Sequence, residues 1–235
     1  MRKSILGLSG NQLKILAVIF MTIDHIGLHL FPGIQIFRII GRLSFPIFAF
    51  TFAEGCKYTK NRTRHFLVLC LFAVLCQAVY TYAMNSLYQN ILVTLALSAL
   101  VIYAFDFAKK TRNFLSYVLA IAVLISVFFI CFILPASVGR GFAIDYGFYG
   151  VMLPVLCYLG KTKQEKILLL SMGLLLLAPN IGTIQLFSLI SVPIIALYNE
   201  TRGKWRMKNF FYIYYPLHLV VIHFLRIFLN NQNIL

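Results

Sequence analysis

The residues best suited to chemistry in this chain are ionisable side chains that fall inside long apolar segments. They are Asp24, His25, His29, Arg38, Arg42, Glu54, Asp145, His218, His223 and Arg226. Inside a membrane span such a side chain costs roughly 2.5–3.5 kcal/mol on insertion scales, so each is a candidate functional residue. Histidine suits proton transfer near neutral pH, and arginine suits the stabilisation of developing negative charge.

Spacing indicates which of these groups share a helix face. His25 and His29 are four residues apart, as are Arg38 and Arg42, so each pair lies on one face of a helix. Asp24 is offset by about 100° from His25 and is poorly placed to orient that imidazole. We therefore expect Asp24 to pair with Arg42 or Arg38 across helices.

The two histidines of the first segment also have the spacing of half a zinc site. His25 and His29 are four apart, but no glutamate or cysteine is placed to complete the ligand set. We expect no metal site.

Composition identifies the elements that must position these groups. Of 235 residues, 61% are hydrophobic and only 11% are charged, against roughly 25% charged in a soluble domain. Mean hydropathy is +0.87. The sequence predicts an all-α polytopic integral membrane protein, with residues 1–235 forming a single transmembrane domain. The net charge of +15 is spread as short clusters between apolar runs, so we expect a lipid bilayer as partner and no nucleic acid.

The apolar runs predict about nine transmembrane helices, since a span needs about 20 apolar residues. The predicted spans are 13–31, 37–55, 65–83, 91–108, 114–134, 145–160, 166–180, 184–198 and 209–229. The sixth, seventh and eighth are short, and the pair around Pro179–Gly182 could be re-entrant.

Basic residues in the loops predict the orientation. Of 21 Lys and Arg, 17 fall on one side of the predicted membrane, which the positive-inside rule assigns to the cytoplasm. These are Arg2, Lys3, Lys14, Lys57, Lys60, Arg62, Arg64, Lys109, Lys110, Arg112, Lys161, Lys163, Lys166, Arg202, Lys204, Arg206 and Lys208. Arg140 breaks the pattern. The N-terminus is predicted inside and the C-terminus outside.

Helix rise estimates the depth of the polar groups. His25 lies roughly 16 Å from Lys14, and His218 roughly 15 Å from Lys208, so both fall near the midplane. Arg42 falls at about 22 Å, in the outer half. A polar cavity between the first, second and last spans is therefore predicted.

Each of these groups also has a purely structural interpretation. Asp24 could form a buried ion pair, and His25 could be an inter-helix hydrogen-bonding residue. His218 could bond a carbonyl freed by Pro216, and Glu54 could be a helix-end residue near the cytoplasm.

Three strings of sequence point to a known family. They are Asp-His-Ile-Gly at 24–27, Gly-Arg-Leu-Ser-Phe-Pro-Ile-Phe at 41–48 and Tyr-Pro-Leu-His at 215–218. Together with further strings in chain order from about residue 8 to 225, they resemble the TraX family of conjugal-transfer membrane proteins.

The resemblance implies an activity. The family is associated with N-terminal acetylation of pilin and is similar to membrane acyltransferases that use cytoplasmic acetyl-CoA. It implies a bacterial inner-membrane acetyltransferase whose donor substrate is acetyl-CoA and whose acceptor is an envelope protein, peptide or glycan. By the same resemblance the candidate catalytic residues are His25, Asp24 and Arg42, and the candidate binding residues are Arg38, Glu54, Asp145 and His218.

These residues suggest a direct transfer mechanism. The donor phosphates would rest on the basic cytoplasmic rim, and His25 would act as general base. Arg42, supported by Arg38, would stabilise the oxyanion, while Asp24 and Asp145 would orient the arginines or bind an acceptor ammonium. His218 would be a second proton carrier facing His25.

Two other functions use the same buried charges. A proton-coupled permease could use them as a relay, although we find no repeated halves of the kind common in transporters. A structural assembly factor could use them to set helix packing.

Overall fold

The fold is known from a computed structural model, which describes residues 7–84, 86–139, 141–204 and 208–232. Within these ranges the chain forms ten α-helices and one 3₁₀ helix, with no β-strand, so the predicted all-α class is confirmed. The helices are α1 Gly10–His29, α2 Gln35–Gly41, α3 Ser44–Tyr58, α4 Arg62–Met84, α5 Ile91–Thr111, α6 Phe114–Val138, α7 Gly147–Leu159, α8 Lys163–Ile181, the 3₁₀ helix Thr183–Ile190, α9 Ser191–Ala196 and α10 Lys208–Asn231.

Polar caps mark where several helices begin. Ser9 caps α1 in a capping box, in which its backbone N–H donates to Gln12 Oε1 at 2.8 Å. Asn90, Asn113 and Thr162 cap α5, α6 and α8 by accepting first-turn N–H groups. Short polar loops therefore specify where the chain re-enters the helical bundle.

Within the described residues, seven helical segments are long and apolar enough to cross a membrane: 10–29, 35–58, 62–82, 91–111, 114–138, 163–181 and 213–231. All nine predicted spans are helical, but α7 and the 183–196 unit are shorter, so nine full spans are not confirmed. The seventh predicted span, 166–180, lies within α8, which begins earlier, at Lys163, and ends at Ile181.

The second predicted span, 37–55, is confirmed as one apolar segment long enough to cross a membrane, over residues 35–58. It consists of two helices, since α2 ends at Gly41 and α3 begins at Ser44. Pro46 has no N–H to donate to the carbonyl of Arg42, so one helical hydrogen bond is missing here. Arg42 and Leu43 form the turn between the two helices, with backbone angles in the right-handed helical region.

Helix α3 is the central element of the bundle. It packs against α1, α7 and α9, and its residues Ile47, Ala49 and Phe50 are almost fully buried. The most apolar helix, α6, instead exposes many large side chains such as Ile125 and Phe129. An apolar surface of this kind suits contact with lipid.

The predicted cytoplasmic loops meet at one end of the bundle. Lys166 pairs with Glu54, and Arg62 pairs with Asp106 at 2.6 Å, which joins the ends of α3, α4, α5 and α8. The start of α1 bonds to the 197–202 loop at the same end. Arg2, Lys3, Arg140 and Arg206 lie outside the described residues.

Candidate active site

Two histidines from the first and last helices are in direct contact. His25 Nδ1 lies 2.7 Å from His218 Nε2, and the two rings stack with centroids 4.9 Å apart. The residues are 193 positions apart in the chain. The predicted meeting of α1 and α10 through these residues is confirmed.

The hydrogen-bond chain assigns the tautomers of this pair. His218 Nδ1 lies 3.0 Å from the carbonyl oxygen of Tyr214, which can only accept, so His218 Nδ1 carries the hydrogen. In the neutral ring His218 Nε2 is then the acceptor, and His25 Nδ1 is the donor. His25 Nε2 is left as the nitrogen with a free lone pair. The direction of these two hydrogen bonds therefore leaves His25 able to accept a proton.

Asp24 binds two arginines. Its Oδ2 accepts from Arg38 Nη1 at 2.7 Å, and its Oδ1 accepts from Arg42 Nη2 at 2.9 Å. Asp24 and Arg42 are both buried, whereas the Arg38 side chain is 27% exposed. The predicted pairing of Asp24 with the arginines is confirmed, and it keeps Arg42 charged and oriented beside the histidines.

Two glycines allow α1 and α2 to approach closely enough for these pairs to form. A Cβ at Gly41 would clash with the Asp24 side chain, and one at Gly27 would clash with Phe37. The close approach of the helices therefore depends on the absence of side chains at these two positions.

Arg42 has further neighbours that the sequence analysis missed. Its Nη1 donates to Gln185 Oε1 at 3.4 Å, and its guanidinium carbon lies 5.9 Å from the Tyr146 ring. Gln185 was not among the predicted site residues because its amide is neutral. A fully buried glutamine in an apolar segment could have been noticed as costly, since it needs hydrogen-bond partners.

Asp145 forms the opposite wall. It lies in the link before α7, where its Oδ1 accepts from the Tyr88 hydroxyl at 2.9 Å and its backbone oxygen accepts from Thr94 at 2.7 Å.

These groups surround one cavity of about 370 Å³. Asp24, His25, Arg38, Arg42 and Asp145 all line it, and His218 reaches it through its contact with His25. Six aromatic side chains also line it, Phe45, Phe48, Tyr80, Tyr88, Tyr146 and Tyr215, together with aliphatic residues, His29 and Asn90. The cavity combines a basic nitrogen, two guanidinium groups and two carboxylates with aromatic and aliphatic side chains.

Other candidates lie elsewhere. Glu54 sits at the opposite end of α3, where it pairs with Lys166 and accepts from Tyr198 at 3.4 Å. Its buried ion pair corrects the view of Glu54 as a simple helix-end residue. His29 stays near the site, with its ring 6.1 Å from that of His25. Arg226 is exposed on the surface of α10.

The fold and this cavity define a polytopic α-helical membrane protein with a buried polar site between its helices. The sequence profile of the TraX protein family matches residues 9–226. The chain belongs to the TraX family.

Two curated proteins are similar to the chain. An uncharacterised protein of Rickettsia prowazekii is 34% identical over 67% of this chain, a match that spans 58% of that protein. The probable fimbrial assembly protein FimC of Dichelobacter nodosus is 26% identical over 94% of this chain and 97% of its own length. No solved structure matches the chain.

Proposed function

We propose that this chain is a bacterial inner-membrane acetyltransferase, which moves an acetyl group from acetyl-CoA to an amine or hydroxyl of an envelope acceptor. The observation that carries the proposal is the His218–His25 chain, which leaves His25 Nε2 as a base beside the buried Arg42 guanidinium. The similarity to a protein named for fimbrial assembly favours a pilin-like acceptor among the envelope candidates.

In the proposed reaction the nitrogen or oxygen of the acceptor's amine or hydroxyl group attacks the thioester carbonyl carbon with its lone pair. His25 Nε2 takes the proton as the new N–C or O–C bond forms. The C–S bond then breaks, and the proton on His25 passes to the departing sulfur to give CoA. No covalent enzyme intermediate is needed.

Arg42 is the group proposed to stabilise the tetrahedral oxyanion. Its guanidinium is buried and held by Asp24, so it is oriented before the negative charge develops. Its Nε has no hydrogen-bond partner among the described residues and is therefore a donor still available to a ligand. Arg38 shares the carboxylate of Asp24 and supports the same orientation.

The wall formed by Asp145 and the tyrosines is proposed to hold the acceptor. Asp145 can accept a hydrogen bond from an amine or hydroxyl, and the aromatic rings can enclose the adjoining apolar part. Asp24, by contrast, has both oxygens engaged by arginines, so its role is to position them.

The test is transfer of labelled acetate by purified protein in lipid nanodiscs. Wild-type protein should move label from acetyl-CoA to an envelope acceptor, and His25→Ala should lose at least about 100-fold in rate. His223→Ala, on α10 but outside the cavity lining, is the matched control. Full activity in His25→Ala would remove the proposed base, and acceptor flux without modification would favour a transporter.

A further inference from the structure

A second cavity, of about 320 Å³, lies at the other end of α3 and is here called the lysine pocket. Its lining residues are Phe50, Glu54, Lys57, Tyr58, Lys161, Thr162, Lys163, Gln164, Lys166, Tyr198 and Glu200. The buried Glu54–Lys166 ion pair forms its floor. Four lysines therefore converge on one concave surface with two glutamates, one of which is already paired.

The lysine pocket carries a net positive charge, since four lysines face two glutamates. Among the described residues, Lys57, Lys161 and Lys163 have no carboxylate within ion-pair distance. The positive-inside rule explains why lysines occur in these loops, but it does not require them to line a cavity. A cationic cavity of this size suits an anion with several oxygens, such as a phosphate or pyrophosphate group.

A buried polar seam connects this pocket to the candidate active site. It is formed by Gln185, Ser188, Ser191 and Tyr198, along the 3₁₀ helix and α9. Gln185 bonds to Arg42 at one end, and Tyr198 bonds to Glu54 at the other.

The seam residues are aligned and fully enclosed. Residues three apart are eclipsed in a 3₁₀ helix, so Gln185, Ser188 and Ser191 lie on one line that covers about 12 Å. All three are 0% exposed. The 3₁₀ helix and α9 both pack on α3, which spans the distance between the two cavities.

Two atoms of the seam have no hydrogen-bond partner among the described residues. They are Gln185 Nε2 and Ser188 Oγ, and Arg42 Nε adds a third at the active-site end. Unpaired polar atoms in a membrane interior are costly and call for a ligand or bound water. The seam thus offers hydrogen-bonding groups to a polar chain lying between the two cavities.

The distance along α3 between the Glu54 ion pair and the active-site end fits an extended donor. Glu54 of the lysine pocket and Phe45 of the first cavity are nine residues apart, which corresponds to about 14 Å of helix, and Phe48 and Phe50 bring the walls of the two cavities closer together. An extended amide-containing chain covers this distance with roughly four residue-lengths. The arm of CoA between its phosphates and its thiol is such a chain and contains two amide bonds.

From these observations we infer that the lysine pocket binds the phosphate groups of the acyl donor, while the donor's amide arm lies along the polar seam to Arg42. The inference rests on the proposed function and names where its donor binds. Gln185 and Ser188 are the residues that would pair with the arm, after a local opening of the packed seam.

The phosphate part of the inference is tested by binding of CoA and of inorganic pyrophosphate to the full chain in phosphatidylcholine nanodiscs. Lys57→Gln, Lys161→Gln and Lys163→Gln should each lower the affinity for both ligands by about tenfold, which corresponds to the loss of one charged hydrogen bond. Lys60→Gln is the matched control, because Lys60 is exposed just after the end of α3, three residues from Lys57, but does not line the pocket. Equal CoA affinity in all four variants would overturn the assignment.

Nanodiscs containing phosphatidylglycerol separate a soluble donor from a lipid headgroup. CoA should bind with similar affinity in both lipids if the pocket serves the donor. Displacement of CoA by phosphatidylglycerol through the same lysines would overturn the donor assignment and identify a headgroup site. Lysine-dependent CoA binding without acetyl transfer would support the binding site and refute only the proposed enzymatic function.

The seam is tested by Ser188→Ala. Removal of an unpaired buried hydroxyl should leave the fold as stable or more stable. A fall in CoA affinity of about fivefold, with unchanged pyrophosphate affinity, would therefore show that the amide arm of CoA contacts Ser188. Ser126→Ala, exposed on α6, is the matched control. Unchanged CoA affinity in Ser188→Ala would exclude the arm from the seam.

Discussion

At the scale of single residues, the site depends on a directional chain of hydrogen bonds. Tyr214 accepts from His218, His218 accepts from His25, and His25 lines the cavity. His218 therefore fills the orienting role that a carboxylate fills in a catalytic triad. From the sequence, His218 was predicted to be a proton carrier. Its position favours orientation of His25 as the simpler role.

This series of hydrogen bonds predicts different effects for two replacements of His218. His218→Ala should lower kcat by roughly 10²- to 10⁴-fold with little change in KM, because His25 loses its orienting acceptor. His218→Gln should recover part of that loss, since its amide oxygen can accept from His25 Nδ1. The measurement is steady-state acetyl transfer. Equal losses in both variants would argue for a structural role only.

The pairing of Asp24 with Arg38 and Arg42 predicts that the two arginines contribute differently to stability. Asp24→Ala should lower the free energy of unfolding by about 3–5 kcal/mol, because it leaves Arg42 buried without a counter-charge. Arg38→Gln should cost only about 1 kcal/mol or less, since the Arg38 side chain is partly exposed. Denaturant titration of the purified protein measures both. A larger cost for Arg38→Gln would contradict the assignment of Arg42 as the buried partner.

At the scale of helices, the site is positioned by the close contact of α1 with α2 and by the break before α3. The break lies at Arg42 and Leu43, shortly before Pro46, and it falls within the single membrane-crossing segment that the apolar run across 37–55 predicted. The contact follows from Gly27 and Gly41, whose importance depends on which residues face them.

Two glycine replacements should have opposite effects. Gly41→Ala should destabilise the protein by about 1–3 kcal/mol and reduce activity, because the new methyl group would displace the Asp24 side chain. Gly55→Ala, within α3 and with open space around its Cβ, should stabilise by up to about 1 kcal/mol. Thermal unfolding in detergent compares the two. A neutral Gly41→Ala would show that α1 and α2 can separate without cost.

At the scale of the whole molecule, the bundle has two chemically distinct ends. The basic loops and the lysine pocket share one end, and the histidine pair and the arginines lie towards the other. If the positive-inside rule holds, acetyl-CoA would enter from the cytoplasmic end and the acceptor from the outer end.

The orientation is open to direct test by thiol labelling. Lys60→Cys should react with a membrane-impermeant maleimide only after the cells are permeabilised, since its loop is predicted to be cytoplasmic. Gly33→Cys, in the exposed turn between α1 and α2, should react in intact cells. All five native cysteines are buried or partly buried, which keeps their background labelling low. The reverse pattern would invert the topology.

The sequence by itself determined the class of protein and most of the candidate site. Apolar composition requires lipid contact. The cost of burying charge identifies Asp24, His25, Arg42 and His218 as candidate functional residues. Helix rise placed His25 and His218 at one depth, and they prove to be in contact.

Only the tertiary structure decided which polar group meets which. It showed that Asp24 engages both Arg38 and Arg42, paired Glu54 with Lys166, and brought the neutral Gln185 to Arg42. Composition and depth are properties of each helix taken separately, and can be estimated from sequence. Rotation and contact between helices are set by side-chain packing across the whole bundle, as at Gly41, and no single segment contains that information.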